Sequence, residues 1–311
     1  MEFLTAVFVS PFIEIYEYPL FFIEVVLGGL LAGVMYSLVA LGFVLIFKAS
    51  GVFNFAQGAM VLFAALTLVG LMEHGFPAWL AIISTIIVMI LLAVTVEKVV
   101  LRKLVNQEPI ILFMATIGLS YFLDGFGQTI WGSDVKILDL GIPSAPMEYG
   151  GILVNQFDIV AAVTAGSLVA VLAIFFHKTR IGRALRAVAD DHQAAMSVGI
   201  PLKTIWAIVW SVAGLVGLVA GIMWGTKLGV QFTLTLVALK ALPVLILGGF
   251  TSIPGAIIGG LIIGMGEKVA EVFWGAAFGG AIEDWFAYVL ALVFLLFRPQ
   301  GLFGEKIIER V

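Results

Sequence analysis

From Pro77 to Val96 the chain runs twenty residues without one charged side chain, about the length a helix needs to cross bilayer hydrocarbon. Runs of this kind recur along the sequence and constrain the fold more than any other feature. Hydrophobic residues make up 62% of the chain and charged residues 12%, whereas soluble domains are about 45–50% apolar and about 25% charged. That excess is more than one globular core can bury. A membrane β-barrel would show weak alternating segments and not solid apolar runs. The reading is an all-α, polytopic transmembrane bundle.

Six spans are expected near 20–47, 52–72, 77–100, 110–131, 156–177 and 201–225, with three less regular ones near 232–248, 255–273 and 284–297. The total is eight to nine, according to how the last region is counted. There the run from 232 holds Lys240 and Pro243 and is followed by GGFTSIPGAIIGG, which is too rich in glycine and proline for one straight helix. A broken or re-entrant segment is expected, and such backbone is tolerated only where protein or a cavity surrounds it. No stretch is long enough for an independent soluble domain, so residues 1–311 read as one transmembrane domain. Its main connections are 132–155 and 178–200.

The net charge of −4 decides little; the placement of charge does, because Lys and Arg mark cytoplasmic connections. Lys48, Lys98, Arg102, Lys103, Lys178, Arg180, Arg183, Arg186, Lys203, Arg298, Lys306 and Arg310 fall on one set of connections. Glu73 and His74, then Asp134, Lys136, Asp139 and Glu148, then Glu267 and Glu271 beside Lys268 fall on the other, which is acidic on balance and is joined by the N-terminal acids Glu2, Glu14, Glu17 and Glu24. This places the N-terminus and loop 132–155 outside, and the C-terminus and stretch 178–200 in the cytoplasm. Glu2, where a basic residue would stand, argues against a secretory signal. The absence of cysteine removes disulfides and thiolate ligands.

Signatures of catalysis are missing. His74, His177 and His192 lie far apart, no HExxH occurs, and Gly225-Thr226-Lys227 lacks the spacing of a phosphate loop. No catalytic or metal-binding residue is expected, nor any nucleic-acid partner. Charges inside spans are costly and often functional; Asp124 and Lys240 are read as lying well inside. Asp124 is expected to pair with a neighbouring helix or a backbone carbonyl. Lys240 either pairs, snorkels, or faces a wet cavity beside the broken segment, where Thr251 and Ser252 add hydroxyls. In KASGVFNFAQGAM, Asn54 and Gln57 are three apart and share a helix face; they either bond between helices or line a solute path. Gly29 with Gly33, Gly217 with Gly221, and Gly255 with Gly259 repeat the spacing of four that lets membrane helices approach closely, within the chain or against a partner subunit.

TRIGRALRAVADDHQAAMSVGI, residues 179–200, differs from its surroundings. Ile181, Leu185, Val188, His192 and Ala195 make one mainly apolar helical face, with Arg183, Arg186, Asp190 and Asp191 elsewhere. Thr179 suits an N-cap and Gly199-Ile-Pro a stop. Arginines first and aspartates last oppose the helix dipole, so the order serves something besides helix stability. Topology signalling accounts for arginines, but docking of a soluble partner accounts for a whole amphipathic helix.

Four stretches together resemble the integral membrane permeases of bacterial ABC importers for branched-chain (hydrophobic) amino acids. They are GLLAGVMYSLVALGFVLIFKASGVFNFAQGAM, TRIGRALRAVADDHQAAMSVGI, KALPVLILGGFTSIPGAIIGGLIIGMGE and LLFRPQGLFG, and the resemblance covers nearly the whole chain. It implies a multi-pass protein of the bacterial cytoplasmic (inner) membrane. It implies a second, homologous or identical permease subunit, two cytoplasmic ATPase subunits that carry the ATP and Mg, and an external solute-binding protein, with no cofactor on this chain. It implies that the middle stretch is the coupling helix, with Arg180, Arg183, Arg186, Asp190 and Asp191 among its contact residues. Gln193, Ala194, Ala195 and Gly199 are similar to the importer loop motif EAAxxxG, with Gln in the place of Glu. Gln57 stands where the family often has His; related permeases carry urea, short amides or small organic acids. The two other classes are an ion-coupled carrier, which the shortage of buried acids disfavours, and a passive channel, which the broken segment leaves open.

Overall fold

The computed structural model describes residues 2–51, 53–104 and 107–304, without the side chains of Glu2 and His192. Lys306 and Arg310, expected among the cytoplasmic charges, lie outside the described residues. The chain is almost wholly helical. In order it forms α1 (Glu2–Phe8), α2 (Ser10–Glu17), α3 (Pro19–Ser50), α4 (Gln57–Glu73), α5 (Ala78–Val99) and α6 (Pro109–Trp131). A hairpin of β1 (Pro146–Tyr149) and β2 (Ile152–Asn155) follows, then α7 (Gln156–Lys178), α8 (Arg180–Asp190), α9 (His192–Ser197) and α10 (Leu202–Leu228). The last part is α11 (Val237–Lys240), α12 (Leu242–Gly248), α13 (Ile253–Phe278) and α14 (Phe286–Phe297).

Among the described residues five helical segments are long and apolar enough to cross a membrane: those of α3, α5, α6, α7 and α10. Segments 232–248 and 253–278 are bent by 115° at their break, and would make a sixth if taken as one span. Helices α4 and α14 are apolar but shorter. The expected spans near 52–72 and 284–297 therefore contract, to 17 residues in α4 and 12 in α14. The first contracts because Gly51, at φ +70°, ends α3 in a left-handed turn, and the chain needs residues 53–56 to start again.

Two compact units divide the chain. One comprises residues 38–140 and 167–239. Its centre is α4, buried at every residue from Gln57 to Gly70. Against it α10 lays a glycine face: a methyl added at Gly221 would come within 2.7 Å of the Val61 carbonyl oxygen, while one at Gly217 would meet Met60 at an ordinary 3.5 Å. The side chain of Lys136 pairs with Glu73, and its backbone bridges Val230.

The other unit comprises residues 1–37, 141–166 and 240–311. Here α3 and α13 meet through glycine on both sides. A methyl at Gly29 would lie 2.7 Å from the Gly264 oxygen, and one at Gly33 2.5 Å from the Gly260 oxygen. Helix α12 folds back on α13 through Gly248, Gly255 and Gly259. The hairpin lies within the connection expected at 132–155, turning at Gly150 and Gly151, both at positive φ, with Met147 opposite Val154. The ending FRPQGLFG serves α12: Leu302 and Phe303 donate their N–H groups to the carbonyls of Leu247 and Gly248. These are helix-end acceptors with no partner inside the helix.

Candidate functional site

The residues expected on a solute path fall in three places. Asn54 and Gln57 are fully buried in the first unit, and protein groups engage both. Asn54 Oδ1 accepts from the Ala56 N–H at 3.1 Å and its Nδ2 donates to Gln57 Oε1 at 3.4 Å; Gln57 Nε2 donates to the Ala213 carbonyl at 3.2 Å. Between α3 and α4, Asn54 and Ala56 are buried outside any helix, so their backbone groups require partners. Thr116 supplies more, accepting from the Phe55 N–H at 3.3 Å, while its one hydroxyl proton is shared between the Phe113 carbonyl at 2.9 Å and that of Phe53 at 3.3 Å. Phe43 stacks on Phe53, while Phe53 with Phe55 and Phe55 with Phe113 meet edge to face, with centroids 4.6–4.8 Å apart. Here the NFAQG motif builds the start of a buried helix.

Thr251 and Ser252 occupy the turn between α12 and α13, where Ser252 Oγ caps α13 by accepting from the Gly255 N–H at 3.0 Å. Lys240 is elsewhere. Its Nζ lies 3.0 Å from Glu267 Oε1 and 3.5 Å from Asp284 Oδ1. Glu267 stands fifteen residues beyond Ser252 on α13, about 22 Å along a helix, so the hydroxyls and the ammonium do not form one site. Glu267 Oε1 also accepts from Tyr36 OH at 3.3 Å, while its Oε2 is buried with no hydrogen-bond partner.

The placement of Glu267 at an outer connection is overturned. It is 3% exposed and lies within α13, which continues to Phe278. The signal was present: steps of four and three from Gly260 through Gly264 lead to Glu267 on one helical face, but the neighbouring Lys268 and Glu271 read as the end of a span. Glu97 was missed in the same way. It is 2% exposed on α5 and is gripped by Nε and Nη2 of Arg102, at 3.1 and 2.7 Å. Asp124 accepts from Gln128 Nε2, one turn along α6, at 2.8 Å.

The stretch 179–200 is two helices, not one. Thr179 Oγ1 accepts from the Gly182 N–H and caps α8. Asp191 ends α8 in extended backbone and caps α9, accepting from Gln193 N–H at 2.7 Å and Ala194 N–H at 3.0 Å. The break explains part of the adverse charge order, since a carboxylate at the start of α9 suits its dipole. Arg186 explains another part. Its guanidinium donates to the Phe176 carbonyl at 2.8 Å and reaches that of His177, at the end of α7, where a cation is favourable. Leu185, Val188 and Ala195 are buried, whereas Arg180, Arg183, Asp190, Gln193 and Ala194 are exposed. Gly199 closes the segment at φ +85°. The side chain of His192, expected on the apolar face, lies outside the described residues.

Long apolar helices, a sharply bent pair and a solvent-facing charged segment define a multi-pass membrane protein, and the comparisons carry this further. The family model described as the permease component of the branched-chain amino acid transport system matches residues 25–298, and the chain belongs to that family. It is 30% identical to the high-affinity branched-chain amino acid transport system permease protein BraD of Pseudomonas aeruginosa, over 96% of this chain and 99% of the relative. Identity to LivH of Salmonella typhimurium, a permease protein of the same description, is 28% over 94% and 98%. A probable LivH of Methanocaldococcus jannaschii is 26% identical over 89% and 91%. No solved structure matches the chain.

Proposed function

We propose that this chain is a permease subunit of a bacterial ATP-driven importer for branched-chain or other hydrophobic amino acids, working by alternating access in the cytoplasmic membrane. It pairs with a second permease, two cytoplasmic ATPase subunits that hold ATP and Mg, and an external solute-binding protein. The observation that carries this reading is the segment Arg180–Ser197: two short helices that bury Leu185, Val188 and Ala195 while turning Arg180, Arg183, Asp190 and Gln193 outward. An ATPase surface would bear on that outward face, with Asp190 and Gln193 as contact residues and Asp191, Ala195 and Gly199 holding the shape.

Such a docking helix has to be stiffly joined to a span. Thr179 and Arg186 tie α8 to the end of α7, and Gly182 lies so close to the Phe176 carbonyl that a side chain there would overlap it. A push on α8 would therefore reach α7 directly. Of the candidate path residues, Lys240 is kept as a solute contact. Asn54, Gln57, Thr251 and Ser252 are assigned to holding the helix starts beside which they sit.

Because Arg186 holds α7, the clean test is Arg183 alone. With Arg183→Glu, ATP hydrolysis stimulated by liganded binding protein should fall at least tenfold, while the chain still folds and the binding protein still takes ligand. The tagged wild-type chain should copurify with an ATPase bearing a phosphate-loop motif. Normal stimulated hydrolysis in the variant would refute the docking role. Uptake driven by an ion gradient, or downhill flux, by the chain alone in liposomes would refute the importer reading in favour of a carrier or channel.

A further inference from the structure

A buried ion pair that only holds helices together spends its hydrogen-bonding capacity within itself. The buried Glu97 carboxylate does this, giving both oxygens to donors of the part-exposed Arg102 at 3.1 and 2.7 Å. Lys240 and Glu267 do not. Their one short contact is Nζ to Oε1 at 3.0 Å, and that same oxygen takes the Tyr36 hydroxyl at 3.3 Å. The second oxygen of Glu267 is buried and has no partner. An ammonium has three donors, and a second carboxylate, that of Asp284, stands 3.5 Å away, longer than a good hydrogen bond, with Glu283 acting from farther off. Leaving a buried carboxylate oxygen unsatisfied is costly, so the arrangement holds an unused acceptor beside a cation with a donor to spare.

The two unused groups select a ligand class. A simple cation would gain from Glu267 but meet Lys240, and a simple anion would meet Glu267 and Asp284. An apolar neutral solute would leave both groups unspent. A head carrying an ammonium and a carboxylate on one carbon uses both, and a desolvated zwitterion is what an otherwise apolar path handles worst. Access is graded as well: the side chain of Asp284 is 69% exposed, that of Lys240 30% and that of Glu267 4%. A charged head could pass from a wet carboxylate to a buried one.

We infer that Lys240 and Glu267 form a receiving site for the charged head of a zwitterionic solute, Lys240 taking its carboxylate and Glu267 its ammonium, with Asp284 as the outer contact. The site rests on the reading of the chain as an amino-acid permease.

The test uses the assembled importer in proteoliposomes, with L-leucine as probe and 4-methylpentanoate and 3-methylbutylamine as single-charge controls. ATP-driven leucine uptake is measured with binding protein supplied, and equilibrium leucine binding to the membrane complex is measured without ATP and without binding protein. Lys240→Gln and Glu267→Gln should each lower both at least tenfold, with complex yield and melting temperature as folding controls. The wild type should bind neither control within tenfold of leucine. The charge swap Lys240→Glu with Glu267→Lys separates the site from a structural pair. A swapped pair restores helix contacts but presents the wrong sign to each end of a head whose apolar tail fixes its direction. Uptake that stays low in the swap supports the site. Restored uptake in the swap, or a Lys240→Gln variant within twofold of wild type in both measurements, overturns it. A wild type without ATP-driven uptake of leucine overturns the parent reading instead, and the binding measurements then decide the site by the same thresholds.

Discussion

Gly33→Ala should destabilise the chain by about 2–4 kcal/mol, from overpacking and a lost hydrogen bond together. The new methyl would stand 2.5 Å from the Gly260 oxygen and 2.9 Å from the Leu261 Cα. Carbon–oxygen contacts across helix interfaces settle near about 3.3 Å, so α3 and α13 would have to part by roughly 0.8 Å. Ser37, 2% exposed, donates to Gly33 O at 2.8 Å and to Ile257 O at 3.1 Å. The first bond lies within α3 and survives, while the second crosses to α13 and breaks. Gly28 supplies the control on the same helix. Nothing lies within 4 Å of its added methyl, so Gly28→Ala should be neutral or gain up to about 1 kcal/mol from helix propensity. Equilibrium unfolding in mixed micelles, followed by tryptophan fluorescence, gives both numbers. A Gly33→Ala variant within 0.5 kcal/mol of wild type (roughly the spread of an inert surface change), or a Gly28→Ala variant as harmful as it, would refute close approach at this crossing.

The other predictions use the same measurement. Gln57→Leu should cost about 1–3 kcal/mol by stranding the buried groups its amide serves, a loss that full stability in the variant would contradict. Ser252→Ala should cost about 1 kcal/mol as a lost N-cap, and Ser252→Asp should recover most of it; equal loss in both would argue against capping. Arg102→Gln should destabilise clearly more than Lys103→Gln, because only the first strands the buried Glu97 carboxylate. Gly221→Ala should destabilise more than Gly217→Ala, by the contacts of 2.7 and 3.5 Å that each methyl would meet.

Local signals were legible in the sequence, and pairings across the fold were not. Apolar run length located the long helices, and Thr179 and Gly199 marked the ends of the charged stretch. The break at Asp191 was hidden because its residue spacing continued one helical face across it. The sequence left Asn54 and Gln57 open between bonding to other helices and lining a solute path. Nothing local says that Ala213, 156 residues beyond Gln57, supplies a partner. Arg186 was expected among the docking contacts; the carbonyls it holds lie nine and ten residues back, across a corner that Gly182 makes possible. In each case the missing information is which backbone groups the tertiary fold leaves open.

The pairing of Lys240 with Glu267 was closer to readable than these. The turn at Thr251 and Ser252 folds α12 onto α13, and the close contacts step back from it one turn at a time, Gly248 against Gly255 and then Val244 against Gly259. One more step, carried across the break at Ala241 between α11 and α12, would bring Lys240 near Ile263, and the four-carbon stem of a lysine spans a further helical turn, about 5.4 Å, to Glu267. Once the turn is placed, the carboxylate that meets Lys240 is confined to a short window of α13, and Glu267 is the acid that window contains. The glycines are then part of the charged site as well as of the packing. A bulkier residue at Gly259, whose methyl would stand 2.6 Å from the Val244 oxygen, lifts α12 and should draw Lys240 out of reach of Glu267. Gly259→Ala should therefore lower leucine uptake as Lys240→Gln does while leaving every charge in place; unchanged uptake with α12 displaced would separate the ion pair from transport.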